Sequence, residues 1–318
     1  MKSSAPAIRS AVRIWLEKLE AGDLVLVAIS GGTDSLSLAY ALSLEAPKLA
    51  IQIHAVTVDH QLQPGSGKQA EAVVSQMKLL GIETTIEKVT VDITEGLEAS
   101  ARKARYAALD AIGNKVNAVA IFLGHTRDDQ AESVLLGLAR GSGTRSLSGM
   151  AAQNGKYIRP LLSITRIQTE SVCNEFNLDP WNDPHNSDSS FARVRVRREA
   201  IPTLEKTIGP GISEALARSA QLLRDDADAL DGWAEREIGQ LDLADLDCEY
   251  LSGLPQAIRS RIIREAIFAA GAPSGSISAD HVSLVEALVT SWSGQGASDL
   301  PGGVKVERFS GRLSLLRN

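Results

Sequence analysis

Only two cysteines occur in 318 residues, Cys173 and Cys248, far apart and in no CxxC pair. That spacing excludes a disulfide framework or a four-thiolate metal site as the organising device. Long apolar runs are missing too: none reaches the roughly 18 residues that span a bilayer. The amino terminus has no apolar signal core, and residues 11–18 read as a charged amphipathic helix. These absences predict a cytoplasmic chain with no membrane partner. Internal repeats and low-complexity segments are also absent. Positive charge is scarce, with a net charge of −6, which at first argues against a nucleic-acid partner. The deficit is local, however. Residues 224–249 hold ten Asp/Glu against two Arg, a balance of −8 that leaves +2 for the remainder. The whole-chain charge therefore says little about any one face.

What is present is an alternation. Residues 24–29 and 118–123 are apolar runs without polar interleaving, the pattern of strands buried on both faces, and 51–58 and 84–91 read as two further strands. Between them, 34–44, 69–80, 97–112 and 129–139 read as helices. This order predicts a doubly wound α/β domain with a parallel sheet. Beyond Gly143 the texture changes. Residues 180–198 are rich in Pro, Asn, Asp, Ser and Arg and read as an irregular excursion. After Gly209-Pro210-Gly211 a long helix is expected from 212 to about 241, its acidic half a solvated face linking two domains. The tail predicts helices at 255–270 and 279–292, then a hairpin of 304–308 and 312–316 turning at Gly311. The expected division is an α/β domain at 1–211, a helical linker at 212–246 and a small α+β domain at 247–318.

The sharpest local signal is Ser30-Gly31-Gly32-Thr33-Asp34-Ser35, directly after the first strand. Two glycines permit close backbone approach, and a strand–turn–helix start presents N–H groups to an anion. The hydroxyls of Ser30, Thr33 and Ser35 add donors. Asp34 would repel phosphates unless Mg²⁺ intervened, so it is the candidate metal ligand. No Lys follows the glycines, which excludes a Walker A loop. Val58-Asp59-His60 closes the second strand, where ligands collect in open parallel sheets; adenine contact and a plain Asp-His turn both fit it. At the fourth strand stand His125, Asp128, Asp129 and Glu132. They suit Mg²⁺ or a cationic amine, while Asp129 and Glu132 also have the spacing of a capping box. Arg102 and Arg105 share a helix face, either toward phosphates or as an exposed salt-bridged surface. Arg193, Arg195, Arg197 and Arg198 crowd six positions and, with Arg140 and Arg145, form a candidate phosphate-contacting set or a solvated basic edge. Trp181 is open to stacking on a base or to core packing.

The six-residue loop resembles the PP-loop of the N-type ATP pyrophosphatases, which cleave ATP between its α and β phosphates. Further segments narrow the resemblance: Val58-Asp59-His60, Glu98 to Tyr106, His125 to Glu132, Arg140-Gly141-Ser142-Gly143, Leu147-Ser148-Gly149-Met150, Arg159-Pro160-Leu161-Leu162, Asn186-Ser187-Asp188 and Arg193 to Pro202. In this order they are similar to tRNA(Ile)-lysidine synthases of the short form, strongly over 22–205 and weakly in the tail. The resemblance implies an adenine nucleotide α-hydrolase-like fold and an AMP-forming ligase. Its substrates would be Mg-ATP, free L-lysine and an isoleucine tRNA with a CAU anticodon. It implies a catalytic set of Asp34, Arg105, Asp129 and Arg197, and an ATP site of Ser30–Ser35 with Val58, Asp59 and His60. Asp128, Asp129 and Glu132 would hold lysine, and Arg140, Arg145, Arg193, Arg195, Arg197 and Arg198 would contact tRNA. Oligomeric state stays open between monomer and homodimer. Gln61, Gln63 and Val194 depart from the family pattern.

Rival readings are another PP-loop enzyme, such as a tRNA thiolase or NAD synthetase, a non-catalytic adenine-nucleotide sensor, and a plain tRNA-binding module. Sulfur-transfer relatives usually need paired cysteines, which this chain does not obviously supply. Three acids as close as Asp34, Asp128 and Asp129 exceed what binding alone requires.

Overall fold

In a computed structural model, residues 3–63, 65–93, 96–141, 143–183 and 188–317 are described. Ser142, Asn186 and Ser187 of the family-like segments lie outside them. The chain divides into two compact units, 1–223 and 224–318.

The first unit opens with helix α1 (Ala5–Leu16) and then alternates strictly: β1 (Leu24–Ala28), α2 (Thr33–Glu45), β2 (Gln52–Asp59), α3 (Ser66–Leu79), β3 (Glu83–Lys88), α4 (Leu97–Lys115), β4 (Ala120–Phe122), α5 (Arg127–Ala139). A short helix α6 (Thr144–Leu147) and strands β5 (Gln153–Asn154) and β6 (Tyr157–Ile158) follow. The sheet order is β3-β2-β1-β4-β6-β5, parallel except for the β5–β6 pair. Side chains of β1 alternate between two cores. Val25 and Val27 pack with α1, α2 and Ile164, whereas Leu26 packs with Leu109 and Ile112 of α4. Both faces are thus covered, as the uninterrupted apolar run requires.

Strand order reverses at β1, whose neighbours are β2 and β4. The carboxyl ends of β1 and β4 are therefore side by side, and their following loops face one crevice. Gly124, just after β4, makes this close approach possible. A Cβ there would lie 3.0 Å from the Asp34 carbonyl carbon and from the Ser35 Cα and N.

Helix α7 (Arg166–Glu175) packs on α2. Then α8 (Ala192–Arg195), a π-type turn (Val196–Ala200) and α9 (Ile201–Thr207) run on without a break. The expected irregular excursion over 180–198 is corrected here, since residues 192–198 are helical. Val194 points inward and is buried, so the apolar residue at this departure from the family pattern fills a core position.

The long helix α10 (Ile212–Ile238) leads into the second unit. There β7 (Asp245–Asp247), α11 (Cys248–Gly253), α12 (Gln256–Ala269), α13 (Ala279–Thr290), β8 (Ser298–Leu300), β9 (Val304–Phe309) and β10 (Arg312–Arg317) follow. Its sheet is antiparallel, ordered β7-β10-β9-β8. The β9–β10 hairpin turns at Ser310 and Gly311, both at positive φ, as a tight two-residue turn demands. One face of the sheet buries Val304, Val306, Leu313 and Leu315 against Ile258, Ile262 and Val285 of the helices. No described helix is long and apolar enough to cross a membrane.

Candidate active site

The loop after β1 is built as an anion cradle. Gly31 has φ +85°, and a Cβ there would meet Gln69 Nε2 at 2.9 Å and Val73 Cγ2 at 3.0 Å. Gly32 precedes α2 in extended conformation, so the loop ends at a helix N-terminus. Ser35 braces the turn: its hydroxyl donates to the Gly32 carbonyl at 3.0 Å and accepts from the Ser30 N–H at 3.2 Å. Asp34 projects from the first turn toward α7. The Thr169 hydroxyl donates to its Oδ1 at 2.5 Å, and Arg166 Nε lies 3.6 Å from its Oδ2. Burial pushes the Asp34 carboxyl up to about 6, outweighing the opposing pull of Arg166 and Thr169.

Beside the cradle, at the ends of β1 and β2, is a pocket of about 120 Å³ lined by Ser30, Val58, Asp59, His60, Gln69 and Trp181 among others. Trp181 is half-buried on this wall, and its main-chain N–H donates to the Gly31 carbonyl at 2.9 Å. The two residues that depart from the family pattern at 61 and 63 both make local contacts here. Asp59 Oδ1 accepts from the Gln61 N–H at 2.9 Å and holds Gln61 at φ +54°. Gln63 Nε2 donates to Asp183 Oδ1 at 3.0 Å, linking the two sides of the pocket. His60 keeps a buried Nδ1 with no partner, and burial, then Arg105, lowers its pKa, so it is neutral at pH 7.

Across the crevice, the start of α5 carries the acids. Asp129 is the N3 member of a capping box: Thr126 N–H and Oγ1 donate to its Oδ2 at 2.8 and 3.1 Å. This corrects the expected Asp129–Glu132 box by three residues, with Thr126 rather than Asp129 as the N-cap. Asp129 Oδ1 accepts from Arg166 Nη2 at 3.2 Å and lies 3.6 Å from Arg197 Nη2. Burial alone would raise its pKa, but the Arg166 charge and the Thr126 N–H overcome it and hold Asp129 below the usual range. Asp128 Oδ2 accepts the Arg166 N–H at 2.9 Å. Glu132 is fully buried and bonded to arginines through both oxygens: Arg197 Nε at 2.6 Å on Oε1, Arg193 Nε at 3.0 Å on Oε2. His125 lies next to this group; burial drives its pKa down to about 3, and it too is neutral.

The arginine run divides by helical periodicity. Arg193 and Arg197, four apart, share one face and reach Glu132. Arg195 and Arg198 are exposed on another, Arg195 donating to the Ser189 and Ser190 carbonyls at 2.7 Å. Arg140 and Arg145 are likewise exposed. Arg105 is half-buried, 5.7 Å from the Tyr106 ring, its pKa depressed by burial and then by the charges of Arg102, Arg193 and Arg159. Two residues with direct contacts to Asp34, Arg166 and Thr169, were not anticipated. A signal did exist: Thr165 and Gln168 form a capping box that marks the start of α7.

Comparison with known proteins decides the family. The PP-loop domain matches residues 7–204, and the TilS substrate binding domain matches 246–314. A tRNA(Ile)-lysidine synthase of Thermobifida fusca is 50% identical over 96% of this chain and 95% of its own length. One from Streptomyces coelicolor is 53% identical over 93% and 86%.

The chain belongs to the tRNA(Ile)-lysidine synthase family.

Family membership carries with it a PP-loop domain that uses ATP. The first unit also resembles in fold a U34-tRNA thiolase from Methanococcus maripaludis, with a TM-score of 0.59 at 20% identity over 70% of this chain and 79% of that one. In this lysidine synthase family member, among the described residues, no three His, Cys, Asp or Glu side chains converge as a metal cage. Mg²⁺ in nucleotide sites is commonly held by one or two carboxylates together with phosphate oxygens and water. Asp34, at the mouth of an anion cradle, fits that donor set.

Proposed function

We propose that this chain ligates the side-chain amine of free L-lysine to C2 of the wobble cytidine in the CAU-anticodon isoleucine tRNA. The reaction consumes ATP and releases AMP and pyrophosphate. The observation that carries this reading is the meeting of the phosphate cradle and the α5 acids at one crevice, bridged by a single guanidinium.

In the first step the cytidine O2 attacks the α-phosphorus and pyrophosphate leaves. The N–H groups at the start of α2, with the Ser30, Thr33 and Ser35 hydroxyls, hold the departing charge. Val58, Asp59 and His60 line the pocket assigned to the adenosine end, with Arg105 beside it. Asp34 would hold Mg²⁺, which when bound neutralises phosphate charge. In the second step the lysine amine attacks C2 and AMP leaves with the O2 oxygen. The amine must lose a proton to attack, and a carboxylate next to it can take that proton. Asp128 and Asp129 are assigned to the amine. Glu132 acts through Arg193 and Arg197, and Arg197 is assigned to stabilising charge that develops on the activated cytidine. The outward arginines, Arg140, Arg145, Arg195 and Arg198, are assigned to tRNA phosphates.

In this reading residues 1–211 carry the chemistry, 212–246 link, and 247–318 form a small tRNA-binding domain of a cytoplasmic enzyme, monomeric or homodimeric. The assay is transfer of labelled lysine to purified CAU-anticodon isoleucine tRNA with Mg-ATP. Stoichiometric AMP and pyrophosphate are expected. No transfer to an authentic tRNA by folded protein would refute the assignment.

A further inference from the structure

Helix α7 brings to the crevice two side chains that no motif marked. Arg166 opens the helix and Thr169 follows three residues later on the same face. Thr169 is fully buried, and its hydroxyl lies 2.5 Å from Asp34 Oδ1. The Arg166 guanidinium is 3.6 Å from Asp34, 3.2 Å from Asp129 and 3.6 Å from Glu132, using a different nitrogen for each. The main-chain N–H of Arg166 donates to Asp128 Oδ2 at 2.9 Å. One residue therefore touches the acid of the phosphate loop and all three acids of the α5 cluster.

The chemistry suits the geometry. A guanidinium is planar, always charged and carries five donors, so it can join three carboxylates at once; an ammonium cannot match that fork. Without it, acids on opposite sides of a partly dry crevice would repel. Helix α7 is itself pinned to both sides. Cys173 Sγ lies 3.4 Å from the Thr33 carbonyl, and the Arg127 N–H donates to the Ile164 carbonyl at 2.8 Å.

We propose that Thr169 and Arg166 are positioning residues for the ligation: Thr169 fixes the direction of the Asp34 carboxylate, and Arg166 keeps Asp34 in register with Asp129. The assignment rests on the role given to Asp34 above. It differs from a purely packing role in what each atom of Thr169 does. Thr169→Val keeps the shape and removes the hydroxyl; Thr169→Ser keeps the hydroxyl and removes a buried methyl.

The test measures kcat and KM of these variants, their melting temperatures, and the binding of Mg-ATP and of metal-free ATP without tRNA or lysine. Thr169→Val is expected to lower kcat by about 100-fold, the scale set by an ångström of misplacement. It should leave the melting temperature intact, while Thr169→Ser stays within about 3-fold of the parent. Arg166→Lys should lower kcat by about 10-fold or more, because charge survives and the fork does not. Thr169→Val and Arg166→Lys should each lose most of the preference for Mg-ATP over metal-free ATP. If Ser is as damaging as Val, or if Val keeps the parent's kcat and metal preference, the positioning role is wrong. A parent protein that shows no preference for Mg-ATP would instead refute Asp34 as metal ligand, and the Ser–Val contrast would still judge the positioning of Asp34. Should Arg166→Lys not fold, the Thr169 pair decides alone.

Discussion

Arg197 and Glu132 meet as a two-pronged pair, Nε to Oε1 at 2.6 Å and Nη2 to Oε2 at 3.1 Å, with the carboxylate fully buried. Arg193 adds a second guanidinium from the same helical face. Removing one partner of a buried ion pair leaves uncompensated charge, at a cost of about 3–5 kcal/mol. Glu132→Gln is therefore expected to destabilise the first unit by about 3 kcal/mol and to abolish lysidine formation, because Arg193, Arg197 and Arg166 would then face one another. Denaturant unfolding followed by the lysine-transfer assay checks both parts. A variant of parental stability would show that the cluster tolerates a neutral centre.

The division of the arginine run gives a second prediction. Charge reversal of the outward pair, Arg195 and Arg198, should raise the KM for tRNA well above 10-fold and leave ATP binding and stability unchanged. If both side chains contact phosphates, the slope of log affinity against log salt should shrink by about 2. The inward pair, Arg193 and Arg197, should behave oppositely, with loss of folding or of kcat and no such salt signature. Equal effects from the two pairs would mean that the helical division has no functional counterpart.

Much of this was legible in the sequence, for identifiable reasons. The first strand and its glycine loop stood out because an apolar run buried on both faces cannot alternate, and because Gly31 sits at a φ that other residues avoid. The hairpin at Gly311 was legible on the same ground. Residues 192–198 were misread because local composition, rich in Arg and preceded by Pro and Asn, outweighed the i, i+4 spacing of Arg193 and Arg197. Arg166 and Thr169 were missed because an Arg in a polar amphipathic segment normally marks a solvated face. Only the packing of α7 on α2 turns it toward three acids, and that packing is tertiary information. The capping register is present in the sequence as Thr126-x-x-Asp129, three residues before the Asp129–Glu132 spacing.

Gly124 supplies a third prediction. A methyl group there would press on main-chain atoms of Asp34 and Ser35 at 3.0 Å, which cannot rotate away as a side chain could. Gly124→Ala should cost about 1–3 kcal/mol of stability, the usual scale of overpacking, and should displace the start of α2. The functional consequence falls on phosphate binding, so the KM for ATP should rise more than the KM for lysine. Steady-state kinetics with each substrate varied separately checks this, and an unchanged KM for ATP would show that the loop absorbs the strain elsewhere.

Glu45, at the far end of α2, gives a prediction in pH. It is buried under Arg9, Arg13 and Lys48, at 2.6, 2.9 and 2.9 Å. The hydrogen bond from Arg13, aided by those from Lys48 and Arg9, overcomes burial and holds its pKa down at about 2, against an ordinary 4.5. A carboxyl with a depressed folded-state pKa binds its proton more readily in the unfolded chain, so stability falls as pH falls. The contribution is fully present above about pH 4.5 and is lost as the pH drops through the window down to about 2. Glu45→Gln lacks that contribution at every pH. The parent should therefore be the more stable protein at pH 7, and the gap should close progressively below pH 4.5. Parallel denaturant titrations of the two proteins across pH 7 to 3 measure the gap directly. A gap that stays constant with pH would assign the effect of the substitution to packing and leave the three cations around Glu45 without energetic consequence.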